Sequence, residues 1–131
     1  MLCPNKVYYL ATPYSSTDQH IVEERYDSQQ WILAYLTKDL GLLVIAPIEM
    51  CHNLGKKFDL PSGYEYWKKR DRTLIERSDG IIVGMLDGWQ QSIGVTDEIA
   101  HARQLKKEVY FLNPHTLYIS LDSEMMDGTV K

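Results

Sequence analysis

The sequence has little of what marks secreted, membrane-spanning or nucleic-acid-binding proteins. Its two cysteines, Cys3 and Cys51, lie far apart and outside any Cys-x-x-Cys spacing, so no disulfide framework is expected and a reducing cytoplasm is the expected compartment. No run approaches the roughly 18 to 20 apolar residues of a membrane span, and none near the start is long enough for a signal peptide. The net charge of -4 provides no basic surface to gather the phosphates of a nucleic-acid polymer. We therefore expect a soluble cytoplasmic protein whose partner is a small molecule, with no nucleic-acid polymer and no membrane as partner.

Sequence motifs for common cofactors are also missing. The chain contains neither a Gly-x-Gly-x-x-Gly motif nor a P-loop, so a dinucleotide fold or an NTPase has no motif support. Cys51 and His52 are adjacent, which is not the spacing of metal ligands, and the other histidines are scattered. The sequence therefore predicts neither a metal site nor a cofactor.

What the sequence does contain is a regular alternation of apolar strand-like runs and amphipathic helix-like stretches. With 131 residues, 44% apolar and 24% charged, it is expected to form a single domain over 1–131. The pattern predicts a Rossmann-like (flavodoxin-like) three-layer α/β/α fold with a parallel sheet of four to five strands. Strands are predicted at 6–11, 42–47, 80–86 and 108–113, and helices at 18–40, 62–79 and 94–107.

Several boundaries follow from local signals. Thr17 or Asp18 is a plausible N-cap of the first helix, and Gly41 a plausible stop. The run at 42–47 is continuously apolar and closed by proline, which is typical of a central parallel strand. Residues 48–62 are predicted to form a loop, and 113–131 a peripheral or flexible tail because its periodicity is weak.

The segment "DGWQQSIG" at 87–94 is the most suggestive feature, because it joins the end of a buried strand to the start of a helix. Ligands of parallel α/β sheets bind beyond the carboxyl ends of the strands, and a helix N-terminus offers unpaired N–H groups to a phosphate or carboxylate. The Ser92 hydroxyl could donate a hydrogen bond to the ligand, and Gly94 could let the ligand approach the backbone closely. The alternative is that Ser92 is only a helix cap.

Four carboxylates are considered as candidate site residues. Glu98 lies about a turn inside its helix, where it is either a partly desolvated catalytic group or a solvated charge. Asp97 points about 100° away and is expected to be solvated. Asp71 lies among Lys and Arg residues, where an exposed ion pair is the usual explanation. Asp87 leaves the third strand at the ligand edge, or is a turn residue before a glycine.

Three segments carry a resemblance to a known family. "YYLATPYS", the run from Asp71 through "SDGIIVGM", and "SIGVTDEIAHA" resemble the nucleoside 2-deoxyribosyltransferase superfamily. That superfamily includes the nucleoside 5′-monophosphate N-glycosidases and small proteins of unassigned function. The resemblance covers most of 6–113 and is most specific in the Ser-x-Gly-x-x-x-Glu spacing from Ser92 to Glu98.

The resemblance implies a catalytic set. Glu98 would attack the anomeric carbon of a deoxyribosyl group and form a glycosyl-enzyme intermediate. Asp71 would help handle the base, and Asp87 would help hold the sugar or base. A carboxylate suits this chemistry because N-glycosidic cleavage passes through an oxocarbenium-like state.

The resemblance and the ligand-edge position together give a substrate-binding set. By resemblance, Ser92 would bind a 5′-phosphate, and Tyr8 would position the nucleophile, with Tyr9 as a near alternative. Tyr14 and Trp89 could stack on a base. The complete set is Tyr8, Ala11, Pro13, Tyr14, Trp89, Ser92 and Gly94.

The functional hypothesis is cleavage of the N-glycosidic bond of a (deoxy)nucleoside or its 5′-monophosphate, by hydrolysis or base exchange, with hydrolysis favoured. Two alternatives stay open: a non-catalytic nucleotide-binding or sensing module, and a hydrolase of NAD or nucleotide sugars. The resemblance also implies a homodimer or homotetramer.

Overall fold

A five-stranded, mostly parallel sheet forms the centre of the protein. The structure is a computed structural model that describes residues 2–61 and 63–122. The strand order is β2-β1-β3-β4-β5, in which β5 alone runs antiparallel to its neighbour. The strands are β1 (Val7–Ala11), β2 (Leu43–Ile45), β3 (Gly80–Gly84), β4 (Glu108–Leu112) and β5 (Ile119–Leu121).

The described residues form four helices around this sheet. They are α1 (Gln19–Ala34), which continues into a π-helical turn (Tyr35–Asp39), α2 (Pro47–Phe58), α3 (Tyr64–Glu76) and α4 (Ile93–Gln104). Within the described residues, no helix is long and apolar enough to cross a membrane.

Side chains alternate across the strands and build two separate cores. One face carries Tyr8, Leu10, Ile82, Tyr110 and Leu112, packed with Ile32 and Leu36 from α1 and its π-helical turn. The opposite face carries Tyr9, Ile81, Val83, Val109 and Phe111, packed with Ile75 of α3 and with Val95 and Ile99 of α4. The predicted Rossmann-like three-layer α/β/α fold is thus confirmed.

The ends of α1 agree with the sequence signals. The Asp18 carboxylate accepts a hydrogen bond from the backbone N–H of His20 at 2.9 Å, which is N-capping geometry. Gly41 has φ 64°, the left-handed conformation that a glycine adopts without strain after a helix. Asp18 and Gly41 therefore bound this helical segment.

The predicted loop at 48–62 is wrong over most of its length, because residues 47–58 form α2. Pro47 stands at the start of the helix, where its missing N–H costs no hydrogen bond. Glu49 in the first turn and Lys56 and Lys57 in the last complement the helix dipole. The proline therefore begins a helix and does not simply end a strand.

The predicted central strand at 42–47 is also corrected. β2 contains only Leu43–Ile45 and lies at the sheet edge, where Leu43 is 59% exposed. Leu42 and Ala46, just outside the strand, join the hydrophobic core instead. The apolar run therefore reflects core packing on either side of a short edge strand.

The tail predicted from residue 113 onward is partly ordered into the sheet. Ile119–Leu121 pairs with β4, and Arg103 of α4 binds Asp122 through two hydrogen bonds of 2.8 and 2.6 Å. The rest of that prediction, 123–131, lies outside the described residues.

Candidate active site

The loops after β1 and β3 meet where the chain order of the sheet reverses. The chain leaves β1 for β2 on one side and returns to β3 on the other, which creates the crevice in which α/β proteins bind ligands. Arg25 of α1 joins the two loops by donating to the carbonyl oxygens of Ser15 (2.9 Å) and Asp87 (3.4 Å). Gly88 has φ 89°, a conformation that favours glycine, and a Cβ there would lie 2.5 Å from the Arg25 guanidinium. Arg25 was not anticipated from the sequence.

Glu98 is buried beside this crevice, in the second turn of α4. It is only 6% exposed, and Oε2 accepts a hydrogen bond of 2.5 Å from the hydroxyl of Tyr9, which lies on β1. Burial raises the pKa of Glu98 to about 8; the Tyr9 hydroxyl opposes this rise, and the charges of Asp71 and Asp97 add to it. The interpretation of Glu98 as a solvated first-turn charge is therefore excluded.

Asp71 is the second buried carboxyl group of the site. It lies on α3 and is 9% exposed, so it does not belong to an exposed ion pair. Burial raises its pKa to about 6, while the charge of Arg70 and the hydroxyl of Tyr9 oppose the rise. Tyr9 thus interacts with both carboxyl groups, and the fold brings Glu98 and Asp71 together around one hydroxyl.

The tyrosine that contacts Glu98 is Tyr9 and not Tyr8. Tyr8 points to the opposite face of the sheet because adjacent strand residues alternate. Its hydroxyl accepts a hydrogen bond from the Cys3 N–H at 2.7 Å, and its ring meets Tyr110 edge-on. The contact with Glu98 is therefore made by the alternative, Tyr9.

Asp97 is not a freely solvated carboxylate. Arg72 of α3 donates to both of its oxygens, at 3.0 and 2.5 Å, and the hydroxyl of Tyr64 donates to Oδ2 at 2.5 Å. The hydrogen bonds from Arg72 hold the pKa of Asp97 below its usual range. These contacts connect residues far apart in sequence and have no sequence signature.

The start of α4 has the geometry of a capped helix. Ser92 is the N-cap, and its hydroxyl oxygen accepts a hydrogen bond from the Val95 N–H at 3.2 Å. A Cβ on Gly94 would lie 3.1 Å from the Tyr64 ring, which shows how closely α3 packs on this turn. The capping role of Ser92 is established, and its hydroxyl hydrogen is not used by the cap.

The loop after β3 holds the other two predicted site residues. Asp87 is exposed, and its carbonyl oxygen is the acceptor for Arg25. The ring of Trp89 is partly buried and packs at 5.6 Å, in a tilted geometry, on that of Phe111. Neither residue belongs to the buried group of Glu98, Asp71 and Tyr9.

The loop after β1 contributes a buried polar atom that was missed. Ala11 and Pro13 are buried, as is Thr12 between them. Within 2–61 and 63–122, the Thr12 hydroxyl oxygen is buried without a hydrogen-bond partner. Such a group is costly to leave unsatisfied, so its position at the carboxyl end of β1 is a signal for a bound polar ligand.

Tyr14 is held by the buried histidine His52, a contact that the sequence did not predict. The Tyr14 hydroxyl lies 2.5 Å from Nδ1 of His52, and Nε2 of the same ring lies 3.2 Å from the Glu23 carboxylate. A carboxylate only accepts, so Nε2 donates to it, and in the neutral ring Nδ1 accepts from Tyr14. Tyr26 stacks on the imidazole with 3.8 Å between centroids. His52 thereby fixes the orientation of Tyr14 beside the crevice.

The described part of the chain contains no group of three or more His, Cys, Asp or Glu side chains that could hold a metal ion. The two buried carboxyl groups and Tyr9 offer acid–base and nucleophilic chemistry.

Residues 6–113 match the protein family described as "Domain of unknown function (DUF1937)", which covers most of the chain, so the protein belongs to this family. No curated protein matches the sequence.

Proposed function

We propose that this member of the DUF1937 family cleaves the N-glycosidic bond of a (deoxy)nucleoside or its 5′-monophosphate, with Glu98 as the nucleophile. The observation that supports this most is the buried Glu98 carboxyl group, bonded to the Tyr9 hydroxyl at 2.5 Å beside buried Asp71. Two carboxyl groups with raised pKa values at a ligand crevice are a typical arrangement for acid–base and nucleophilic chemistry.

The proton content of the pair suits the reaction. With pKa values of about 8 for Glu98 and about 6 for Asp71, the pair holds one proton between these pH values. One carboxylate and one carboxylic acid are then available at neutral pH. Tyr9 can relay this proton when its hydroxyl turns from Glu98 towards Asp71, because its oxygen then accepts the Glu98 proton while its own hydrogen goes to Asp71.

The reaction follows in two displacements. The Glu98 carboxylate bonds to the anomeric carbon as the bond from that carbon to the base nitrogen breaks, and Asp71 gives its proton to the departing base. A water then attacks the anomeric carbon, Glu98 leaves as a carboxylate, and Asp71 takes up the water's proton. A second base in place of water would give base exchange, and hydrolysis is the outcome we favour.

Other groups around the crevice suit the rest of the substrate. The first turn of α4, with its unpaired N–H groups and the free hydroxyl hydrogen of Ser92, suits a 5′-phosphate. The unpartnered Thr12 hydroxyl and the oriented Tyr14 hydroxyl suit polar groups of the sugar or base. Exposed Asp87 would reach the ligand from the facing loop.

The proposal includes a homodimer or homotetramer in the cytoplasm. Met50, Leu54 and Phe58 are exposed and lie four residues apart along α2, which suits a contact between copies of the chain. Cys3 and Cys51 are free thiols, in keeping with a reducing compartment.

The direct test is to incubate the protein with a panel of nucleosides, deoxynucleosides and their 5′-monophosphates and to follow free base by chromatography. We expect base release by the native protein and at least about a thousandfold less by Glu98→Gln, which removes the nucleophile but keeps the side-chain size. Glu24→Gln, the same change at an exposed α1 position, is the control and should be fully active.

Two outcomes would count against the proposal: no base from any substrate with the native protein, or equal release by Glu98→Gln. Tight nucleotide binding by calorimetry without product would favour a sensing module instead. NAD and nucleotide sugars belong in the same panel, because their exclusive cleavage would redefine the substrate class.

A further inference from the structure

We propose that Arg72 and Asp97 form a clamp, reinforced by Tyr64, that fixes the spacing of Asp71 and Glu98 and neutralises a charge that would otherwise face Glu98. Each partner of the clamp is the immediate chain neighbour of one carboxyl group of the site: Arg72 follows Asp71 on α3, and Asp97 precedes Glu98 on α4. The bond between Arg72 and Asp97 therefore constrains the distance between Asp71 and Glu98.

The geometry of the clamp is that of a rigid contact. Arg72 uses two nitrogens on the two Asp97 oxygens, at 3.0 and 2.5 Å, a bidentate arrangement that resists sliding and rotation. Tyr64 lies about two turns before Arg72 on α3. Its hydroxyl donates to the same carboxylate at 2.5 Å, and its ring lies against Gly94. α3 is thereby bonded to α4 at one carboxylate through two separate side chains.

The clamp also sets the charge around Glu98. The titratable groups acting on Glu98 from the neighbouring elements are Tyr9 from β1 and Asp71 and Tyr64 from α3, and Asp97 acts from its own helix. Asp97 disfavours ionisation of Glu98, whereas Arg72 and, more weakly, Lys68 counter the charge of Asp97. Arg70 acts similarly on Asp71. Removing Arg72 or Asp97 breaks the same bond but leaves opposite net charges behind.

Because the two variants leave charges of opposite sign near Glu98, they should shift its pKa in opposite directions. A contact with a purely structural role would not produce such opposite shifts. The titration of Glu98 is followed by NMR of protein with ¹³C-labelled glutamate side-chain carboxyl groups. In Asp97→Asn the pKa of Glu98 should fall by about half a pKa unit or more, and in Arg72→Gln it should rise by a similar amount. The double variant lacks both charges and should titrate close to the native protein.

The spacing function has its own readout. Arg72→Lys keeps the positive charge but loses the two-pronged contact, so the Glu98 titration should stay near native while kcat falls about tenfold and KM changes little. Arg103→Gln is the matched control, because it breaks another bidentate arginine–aspartate contact of α4, with Asp122, outside the site. It should change neither the titration nor kcat.

If the pKa of Glu98 shifts in the same direction in Asp97→Asn and Arg72→Gln, or shifts in neither, the electrostatic role of the clamp is overturned. An unchanged kcat in Arg72→Lys would overturn its positioning role. The kinetic part rests on the proposed function, whereas the titration does not. A chain that titrates as expected but releases no base would therefore refute the proposed function and leave the electrostatic part of the clamp intact.

Discussion

At the scale of single residues, the hydrogen bond from Tyr9 to Glu98 controls the chemistry of the site. Tyr9→Phe removes the hydroxyl that opposes the raised pKa of Glu98, so we expect that pKa to rise further. The proton path to Asp71 is lost as well. Base release at neutral pH should fall by about ten- to a hundredfold, measured by the chromatographic assay.

Tyr8→Phe is a closely matched control for this prediction. It makes the same change one position earlier, on the face of the sheet away from Glu98. It should cost about 1 kcal/mol of stability through the lost bond with Cys3, and leave the Glu98 titration and base release unchanged. Loss of activity in Tyr8→Phe, with Tyr9→Phe active, would reverse the assignment of the two tyrosines.

The positions of the two tyrosines and of Asp71 depend on helix packing as well as on local sequence. The alternation of a strand already places Tyr8 and Tyr9 on opposite faces, but which face holds Glu98 depends on where α4 packs. Asp71 lies among basic neighbours, so its burial follows only from the docking of α3 on the sheet. The position of Glu98 beside a helix start is a local feature and was predictable.

At the scale of elements, the N-terminus of α4 combines a structural and a proposed binding role in Ser92. Ser92→Asp separates them, because aspartate caps a helix as well as serine but carries a charge that repels a phosphate. We expect little change in the melting temperature and about a tenfold rise in KM for a 5′-monophosphate, with KM for the free nucleoside unchanged. If Ser92 only caps the helix, the two substrates will respond alike to Ser92→Asp.

The elements themselves were predictable to different degrees. α1, β1, β3, α4 and β4 have strong periodicity or long apolar runs, and the structure contains them near the predicted positions. The helix α2 is not predicted because a proline after an apolar run also ends a strand, although Pro47 followed by Glu49 and later by Lys56 is a signal for a helix start. β5 has three residues, too few for a periodic pattern.

At the scale of the whole molecule, the site exists only because distant segments are brought together. Tyr9 and Glu98 are 89 residues apart, and Arg72 and Asp97 are 25 apart. The alternation of strands and helices predicts a parallel sheet whose strands end at one edge, which is why a ligand edge could be proposed from the sequence. Which side chains pair across that edge depends on how α3 and α4 pack on the sheet. No local sequence pattern carries that information.

Burial of two carboxyl groups also shapes the pH dependence of the stability of the whole protein. The pKa values of Glu98 and Asp71 are about 8 and about 6 in the folded chain, against 4.5 and 3.8 as ordinary values. Between the ordinary and the raised values the folded chain binds more protons than the unfolded chain, so the contribution of these groups to stability falls as pH rises. The free energy of unfolding should therefore be lower near pH 8 than near pH 5.

Glu98→Gln isolates this effect, since glutamine imitates the protonated acid at every pH. We expect it to raise the free energy of unfolding near pH 8 by about 2 to 4 kcal/mol relative to the native chain, and by much less near pH 5. Urea unfolding at a series of pH values measures the difference, and Glu24→Gln should follow the native curve. A constant difference between Glu98→Gln and the native chain across this range would mean that Glu98 ionises in the folded protein as readily as in the unfolded chain. Asp71 would then have to hold the acid proton through its own burial, and the proposed transfer from Glu98 through Tyr9 would not take place.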